Sequence, residues 1–320
     1  MGRTNTKGME KVSIIIPAYN KDELTVRTVK SVLDQSYPNI EIIVVDDGST
    51  DRTKELLSVF GNRIRYIYKQ NGGACGARNL GIRESSGQYV GFLDCDDLYM
   101  EKKVEQGIGF LREHPQYGYV HTDAYFIDRQ DNIVGQYRNN KAKRFQGWIS
   151  QRLILGNFVC NSTVLVRRFC LEKAGFFDEE IFTPADWDMW MRLAEIQKAG
   201  YIDQPLTKYR VTDNYILNKL TLAKKEEEYV VEKFFRRNSR WRGPLQKKAE
   251  SNLHLRFAQC YLLKDNSQAL KKEFCECLKC SPFNLMALAM LLYYVINKSG
   301  LKSDLRERVL RYEEGPFKNN

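Results

Sequence analysis

The chain has 320 residues, of which 43% are apolar and 28% charged, with 50 Lys+Arg against 40 Asp+Glu and a formal net charge of +10. That balance excludes an intrinsically disordered chain and leaves room for one large domain or two smaller ones, each with a core. The charge is uneven: from Lys219 to the end there are 21 Lys+Arg against 12 Asp+Glu, and before it 29 against 28. Attraction to a polyanion or an anionic lipid surface is therefore expected of the tail, although a solvated helical face explains the same excess. Met1 to Lys11 has no apolar stretch, so no secretory signal is expected, and the eight scattered cysteines read as reduced thiols in a cytosol.

Val12-Ser-Ile-Ile-Ile16 is a β-branched run stopped by Pro17; it predicts a first core strand, with Pro17 to Asn20 as the loop at its C-terminal end. Apolar residues at Leu24, Val26, Val29, Val32 and Leu33 predict an amphipathic helix over Asp22 to Gln35. Ile40 to Val45 reads as a second strand, Asp46 to Asp51 as a turn, Thr53 to Phe60 as a helix and Ile64 to Tyr68 as a third strand. This alternation predicts a parallel sheet with covering helices, whose ligands bind beyond the C-terminal strand ends. Asn71 to Gly81 is a glycine-rich connection into a helix ending at Ser86-Gly87. Its glycines would let the backbone approach phosphates, and Arg78 adds a charged fork, though a flexible turn explains the glycines as well.

Tyr89-Val-Gly-Phe-Leu93 reads as a buried strand that stops abruptly at Asp94, Asp96 and Asp97. Three carboxylates at the mouth of a core strand repel one another and need a cation or hydrogen-bond donors. Oxygen ligands select hard divalent ions, so a metal–diphosphate site is one reading. The other is an acidic turn in which Asp97 caps the helix beginning near Glu101 and running to about Glu113.

Gly118 to Phe126 is strand-like, with a turn at Asp131-Asn132 and His121 as a packed strand residue. From Phe145 to Arg168 a helix-like stretch precedes a strand at Ser162 to Val166. A helix opens at about Pro184, with Asp186 and Asp188 in or near its first turn. Both carboxylates suit a helix N-terminus, yet Asp186 also sits among Phe182, Trp187 and Trp190, where desolvation would make it a stronger base. Tyr201 to Val211, proline included, predicts an edge strand. Beyond Lys219 the pattern is helical, broken at Gly243-Pro244, Lys264 to Asn266, Ser281-Pro282 and Lys298 to Gly300. Cys275, Cys277 and Cys280 have zinc-like spacing but no evident fourth ligand, so buried small residues are the better reading. The apolar run Met286 to Ile296 is about half the ~20 residues of a spanning helix and reads as a buried helix that touches membrane at most.

Five motifs in order resemble glycosyltransferase family 2, inverting enzymes of the GT-A fold, over about residues 11–215: Val12 to Asn20, Ile43 to Asp51, Gly76 to Gly81, Phe92 to Asp97, and Ala185 to Asp188. The resemblance implies a flexible N-terminus over 1–10, a GT-A domain over 11–218 with a mostly parallel central sheet, and a basic helical region over 219–320. It further implies that Tyr19 stacks on a nucleotide base and Asp47 accepts from its ring N–H, with Pro17, Ala18, Asn20 and Asp46 shaping that pocket. Arg78 and Asn79 would lie near ribose and diphosphate. Asp94 and Asp96 look like the family's Asp-x-Asp signature, Asp96 contacting Mn²⁺ or Mg²⁺ and Asp94 the ribose or a metal-bound water. Asp186 matches the general base. Asp97, Trp148, Asn157 and Trp187 are weaker candidates for contact with sugar or acceptor.

Two departures stand out: Ala185 where the family usually has Glu, and Val211-Thr212 after Tyr209-Arg210, where a histidine often follows. The function implied is transfer of a sugar from a nucleotide-diphospho-sugar, more often uridine-linked, to a glycan, lipid-linked or protein acceptor in envelope glycan synthesis. The location expected is cytoplasmic, with the tail against the membrane's cytoplasmic face, and nucleic acid is not an expected partner. Two other readings stay open. A nucleotidyltransferase would need a glycine-rich basic loop after the first strand, where Pro17 to Asn20 stands. A non-catalytic binding module would use the basic helices beside an inactive front domain.

Overall fold

The structure, a computed structural model, describes residues 8–137, 145–211, 219–285 and 287–288. Residues 1–7 of the expected flexible N-terminus, Thr212, the break at Lys298 to Gly300, and the 286–296 run apart from Ala287 and Leu288 lie outside the described residues.

In chain order the strands are β1 (Val12–Ala18), β2 (Ile40–Asp46), β3 (Arg65–Tyr68), β4 (Tyr89–Phe92), β5 (Leu98–Tyr99), β6 (Tyr117–Ile127), β7 (Ile133–Tyr137), β8 (Leu165–Arg167) and β9 (Lys198–Arg210). The helices are α1 (Asp22–Leu33), α2 (Thr53–Leu57), α3 (Ala74–Glu84), α4 (Lys103–Glu113), α5 (Ser150–Leu153), α6 (Arg168–Ala174), α7 (Ala185–Ile196), α8 (Leu220–Arg237), α9 (Pro244–Leu263) and α10 (Ser267–Cys280). They fall into two compact units, one drawn from Met1–Ile149 and Val159–Thr212, the other from Ser150–Phe158 and Asp213–Asn320.

In the first unit a nine-stranded sheet runs β3-β2-β1-β4-β8-β6-β9-β5, with β7 on β6. The expected parallel alternation holds for β3-β2-β1-β4. Beyond β4 the sheet is mixed: β8 runs antiparallel to β4 and β6, whereas β6 and β9 are parallel. Hydrophobic periodicity identifies strands without naming their neighbours. Two boundary expectations are corrected for that reason. β1 does not stop at Pro17 but continues to Ala18, because β4 accompanies it only to Ile15, so the proline's missing N–H falls where one side is unpaired. β9 is not a simple edge strand: it pairs with β6 along its length and with β5 at Thr207 and Lys208, and Pro205 sits at a register irregularity.

The main core packs Ile14, Ile16, Val44, Leu93, Val104, Ile108 and Leu165, all buried, between the sheet and helices α1 and α4. A third correction concerns Asp97. The helix after the carboxylates starts at Lys103, so Asp97 caps nothing, and the two-residue β5 intervenes.

In the second unit the predicted breaks fall where the chain turns. Gly243, at φ 95°, precedes Pro244, the first residue of α9. Asn266 caps α10, its Oδ1 accepting from the Ala269 N–H at 3.1 Å. The interface of α9 and α10 buries Leu255, Ala258, Leu270, Phe274 and Cys277. On α10 residues two apart point to different faces, so Cys277 is buried and Cys275 exposed. The buried-residue reading of the cysteine trio thus holds for Cys277 alone. Buried Glu273 is held by Lys224 at 2.5 Å and His254 at 2.8 Å. Among the described residues no helix is long and apolar enough to cross a membrane.

Candidate active site

The C-terminal ends of β1, β2 and β4 and the start of α3 lie side by side. The Asp47 N–H donates to Ala18 O at 2.8 Å, the Lys69 N–H to Asp46 O at 2.9 Å, and the Leu93 N–H to Ile15 O at 3.1 Å. These bonds gather the polar loops of the sequence on one rim. Tyr19 stands 48% exposed there, beside Asn20 in the left-handed region at φ 48°. Such a backbone is tolerated by Asn, whose Oδ1 accepts from the Thr50 N–H at 2.8 Å.

Asp46 is buried and shapes the turn after β2, accepting from Ser49 N–H at 2.8 Å and Tyr66 O–H at 2.5 Å. Gly48 is required in that turn: φ is 82°, and a Cβ would lie 2.8 Å from Asn71 N. The Asp47 carboxylate accepts from Lys69 Nζ at 2.5 Å and from the N–H groups of Gly72 and Gly73 at 3.0 and 2.8 Å. A carboxylate offers about four acceptor positions. One position on Asp47 Oδ2 is left, enough for a single N–H from a base.

Arg78, in the first turns of α3, is buried and donates through Nη2 to Asp94 Oδ1 at 2.6 Å. The same oxygen accepts from Asn161 Nδ2 at 2.9 Å. Arg78 Nε and Asn161 Oδ1 are buried without hydrogen-bond partners among the described residues. Burial opposes the charge on Arg78, but Asp94, Cys75 and Asp186 outweigh it and raise its pKa above the ordinary arginine value. The field of Asp186 therefore reaches the same guanidinium that grips Asp94.

Asp96 accepts from Lys21 Nζ through Oδ2 at 2.5 Å. Lys21 precedes α1, and its side chain is 38% exposed against 12% for Asp96. Burial works against the lysine's charge, yet Asp96 holds its pKa above the usual value. Arg210, at the end of β9, is buried and ties the carboxylate loop down. Its backbone N–H donates to Asp97 Oδ1 and its Nε to Asp96 O, both at 2.8 Å, while Nη1 and Nη2 reach Asp128 O and Asp131 Oδ1.

Asp186 is half-buried in the first turn of α7, and its Oδ1 accepts from the Trp187 N–H at 2.7 Å. Beneath it Phe92, Phe177 and Trp190 form an aromatic cluster with ring centroids 5.2 to 6.0 Å apart. Asp188 faces away, fully buried, and accepts from Arg192 Nε at 2.9 Å.

Three expected contacts turn inward. Asn79 spends its amide on Phe177 and Glu179, pinning that segment instead of reaching a ribose. Asp97 is buried with its oxygens engaged by Arg210 N–H and Ser162 O–H, so it fixes the loop; burial, with Asp96 and Asp94, pushes its carboxyl well above the usual range. Trp187 is 3% exposed and offers no ring face to a sugar. Trp148 is 59% exposed, and Asn157 belongs to the second unit. Sequence reasoning missed Lys21 and Lys69, and it offered the Phe158 to Ser162 loop to the acceptor, where Asn161 and Ser162 instead hold Asp94 and Asp97. The partners of these four lie 22 to 75 residues away, and Lys21 alone adjoined a motif.

The donor set fits a hard divalent ion in one way only. Asp94 and Asp96 bring carboxylate oxygens to one loop, and among the described residues no group of three His, Cys, Asp or Glu closes a site. The remaining positions suit phosphate oxygens and water, as Mg²⁺ and Mn²⁺ commonly take.

Residues 13–175 match the profile described as Glycosyl transferase family 2. The chain is 35% identical over 203 residues to an uncharacterized glycosyltransferase of Rickettsia bellii; the match covers 63% of this chain and only 29% of that protein. It is 33% identical over 208 residues to the Escherichia coli UDP-Glc:alpha-D-GlcNAc-diphosphoundecaprenol beta-1,3-glucosyltransferase WfaP, covering 63% of this chain and 78% of that protein. Among solved structures it is similar to the mannosyltransferase PcManGT of Pyrobaculum calidifontis, in complex with GDP-Man and Mn²⁺, with a TM-score of 0.61 at 17% identity, over 94% of this chain and 83% of that one. That likeness shows the fold, the GT-A arrangement with a helical C-terminal region.

Proposed function

The chain belongs to glycosyl transferase family 2, and from that premise we propose that it is an inverting, metal-dependent transferase. It would move a sugar from a nucleotide-diphospho-sugar to a hydroxyl of a glycan, lipid-linked or protein acceptor in envelope polysaccharide synthesis. One observation carries this reading: the buried Arg78 grips Asp94 at 2.6 Å beside the loop that also holds Asp96, at the C-terminal end of a core strand. A uridine-linked donor is favoured because the Escherichia coli relative's name specifies UDP-glucose.

Each residue takes a part that its geometry permits. The exposed Tyr19 ring stacks on the base, and the remaining position on Asp47 accepts its N–H. Asp94 and Asp96 would hold a divalent ion, which when bound would supply Lewis-acid neutralisation of charge growing on the leaving group. Arg78 adds its own charge beside Asp94, in a buried setting where screening is weak. Asp186 takes the proton of the acceptor hydroxyl as it attacks the anomeric carbon from the face opposite the leaving diphosphate, which inverts the configuration. Ala185 offers no second carboxylate, so Asp186 acts without that support.

The test is release of nucleoside diphosphate from UDP-glucose, UDP-N-acetylglucosamine and GDP-mannose, with Mn²⁺, Mg²⁺ or a chelator. Release from one donor is expected, stopped by chelator and lowered by about 100-fold or more in Asp96→Asn. No release from any donor, with no metal-dependent nucleotide binding, would overturn the proposal.

A further inference from the structure

We infer that Lys21 is a resident counter-ion of Asp96, which competes with the metal for that carboxylate and passes to the diphosphate when metal and donor arrive. The inference rests on the transferase reading above and assigns a task that no motif gives to this lysine. Its Nζ lies 2.5 Å from Asp96 Oδ2, on the carboxylate to which the proposed function gives the metal. An ammonium and a divalent ion cannot share one carboxylate oxygen at such range without strong repulsion. The two cations therefore compete for the carboxylate, and the geometry favours movement of the lysine.

The backbone at Asp96 is tied down and cannot move away. Its carbonyl is held by Arg210 Nε at 2.8 Å, and the next residue, Asp97, is fixed by Arg210 N–H and Ser162 O–H. The Lys21 side chain can, because it is 38% exposed and the only hydrogen-bond partner of its Nζ among the described residues is Asp96. It stands just before α1, on the chain that continues from the Pro17–Asn20 loop, so it need only swing about its own side-chain torsions. A flexible ammonium point charge suits phosphate oxygens. Without ligand, Lys21 relieves the repulsion among Asp94, Asp96 and Asp97; with ligand, the metal takes over that work and Lys21 gains a new anion.

Removing the lysine must therefore change two affinities in opposite directions. In Lys21→Met, Mn²⁺ alone, followed by its electron spin resonance signal or by calorimetry, should bind about five- to tenfold more tightly than in wild type. UDP or GDP at saturating Mn²⁺ should bind about five- to tenfold more weakly. Lys21→Arg, which keeps the charge, should return both affinities toward wild type. Unchanged or weaker Mn²⁺ binding in Lys21→Met overturns the inference, as does unchanged nucleotide binding. A lysine that merely steadied the loop would weaken both affinities together. If wild type itself binds neither Mn²⁺ nor nucleotide, the transferase reading fails with it, which separates that failure from the failure of Lys21.

Discussion

Single residues divide into those that chemistry made legible and those that only folding reveals. Asp94, Asp96 and Asp186 were legible because clustered carboxylates at a strand mouth or helix start are costly without a purpose. Asn79, Asp97 and Trp187 were legible as motif members, and yet their side chains serve the scaffold, since a motif cannot say which way a side chain turns. Lys103 is the opposite case. In sequence it is an unremarked cation in a helical first turn, but the structure buries it, with Nζ donating to Thr163 O at 2.6 Å and lying 5.9 Å from the Tyr99 ring. Burial lowers its pKa from the ordinary lysine value to about 7. Because the unfolded chain keeps the ordinary value near 10.4, it binds more protons than the folded chain between those pH values, so stability rises with pH across that window. The urea midpoint of wild type should climb from pH 7.5 to 9 relative to that of Lys103→Met. Equal slopes for the two proteins would show that Lys103 is not the group responsible.

At the scale of elements, β-branched runs and breaker residues located β1, β2 and β4, the start of α7 and the caps of α9 and α10. Those signals are local, so one sequence carries them. Pairing is not local, and the antiparallel insertion of β8 between β4 and β6 left no mark on the period of any strand. The same limit hid Arg210. It followed Tyr209 as a known pair, but its partners, Asp96, Asp97, Asp128 and Asp131, lie 79 to 114 residues away. By joining β9 to the carboxylate loop and to the turn after β6, this one side chain makes the far half of the sheet a support for the near half. Arg210→Met should destabilise the chain by about 3 kcal/mol, since it strands the Asp96 and Asp128 carbonyls and removes the Asp131 ion pair. Arg210→Lys should fall between, lacking the planar fork. Thermal melts of the three proteins check this, and a melt of Arg210→Met equal to wild type would contradict it.

At the scale of the whole chain, composition showed the neutral front and the basic tail, and folding sharpens the contrast. In the second unit several acids are already committed: Glu273 to Lys224 and His254, Glu232 to Arg236 and Arg242, and Glu227 to Arg256. The first unit gathers Asp46, Asp47, Asp94 and Asp96 at or just beyond the ends of parallel strands, where an α/β sheet presents ligands. That concentration makes the chemistry separable by substitution. The most direct test compares Asp186→Asn with wild type in one preparation, measuring Mn²⁺-dependent nucleotide binding and sugar transfer side by side. Nucleotide affinity should stay within about threefold while transfer falls by roughly 10²- to 10⁴-fold, the usual worth of a general base. Transfer that survives the substitution, or binding lost along with it, would contradict a base at Asp186.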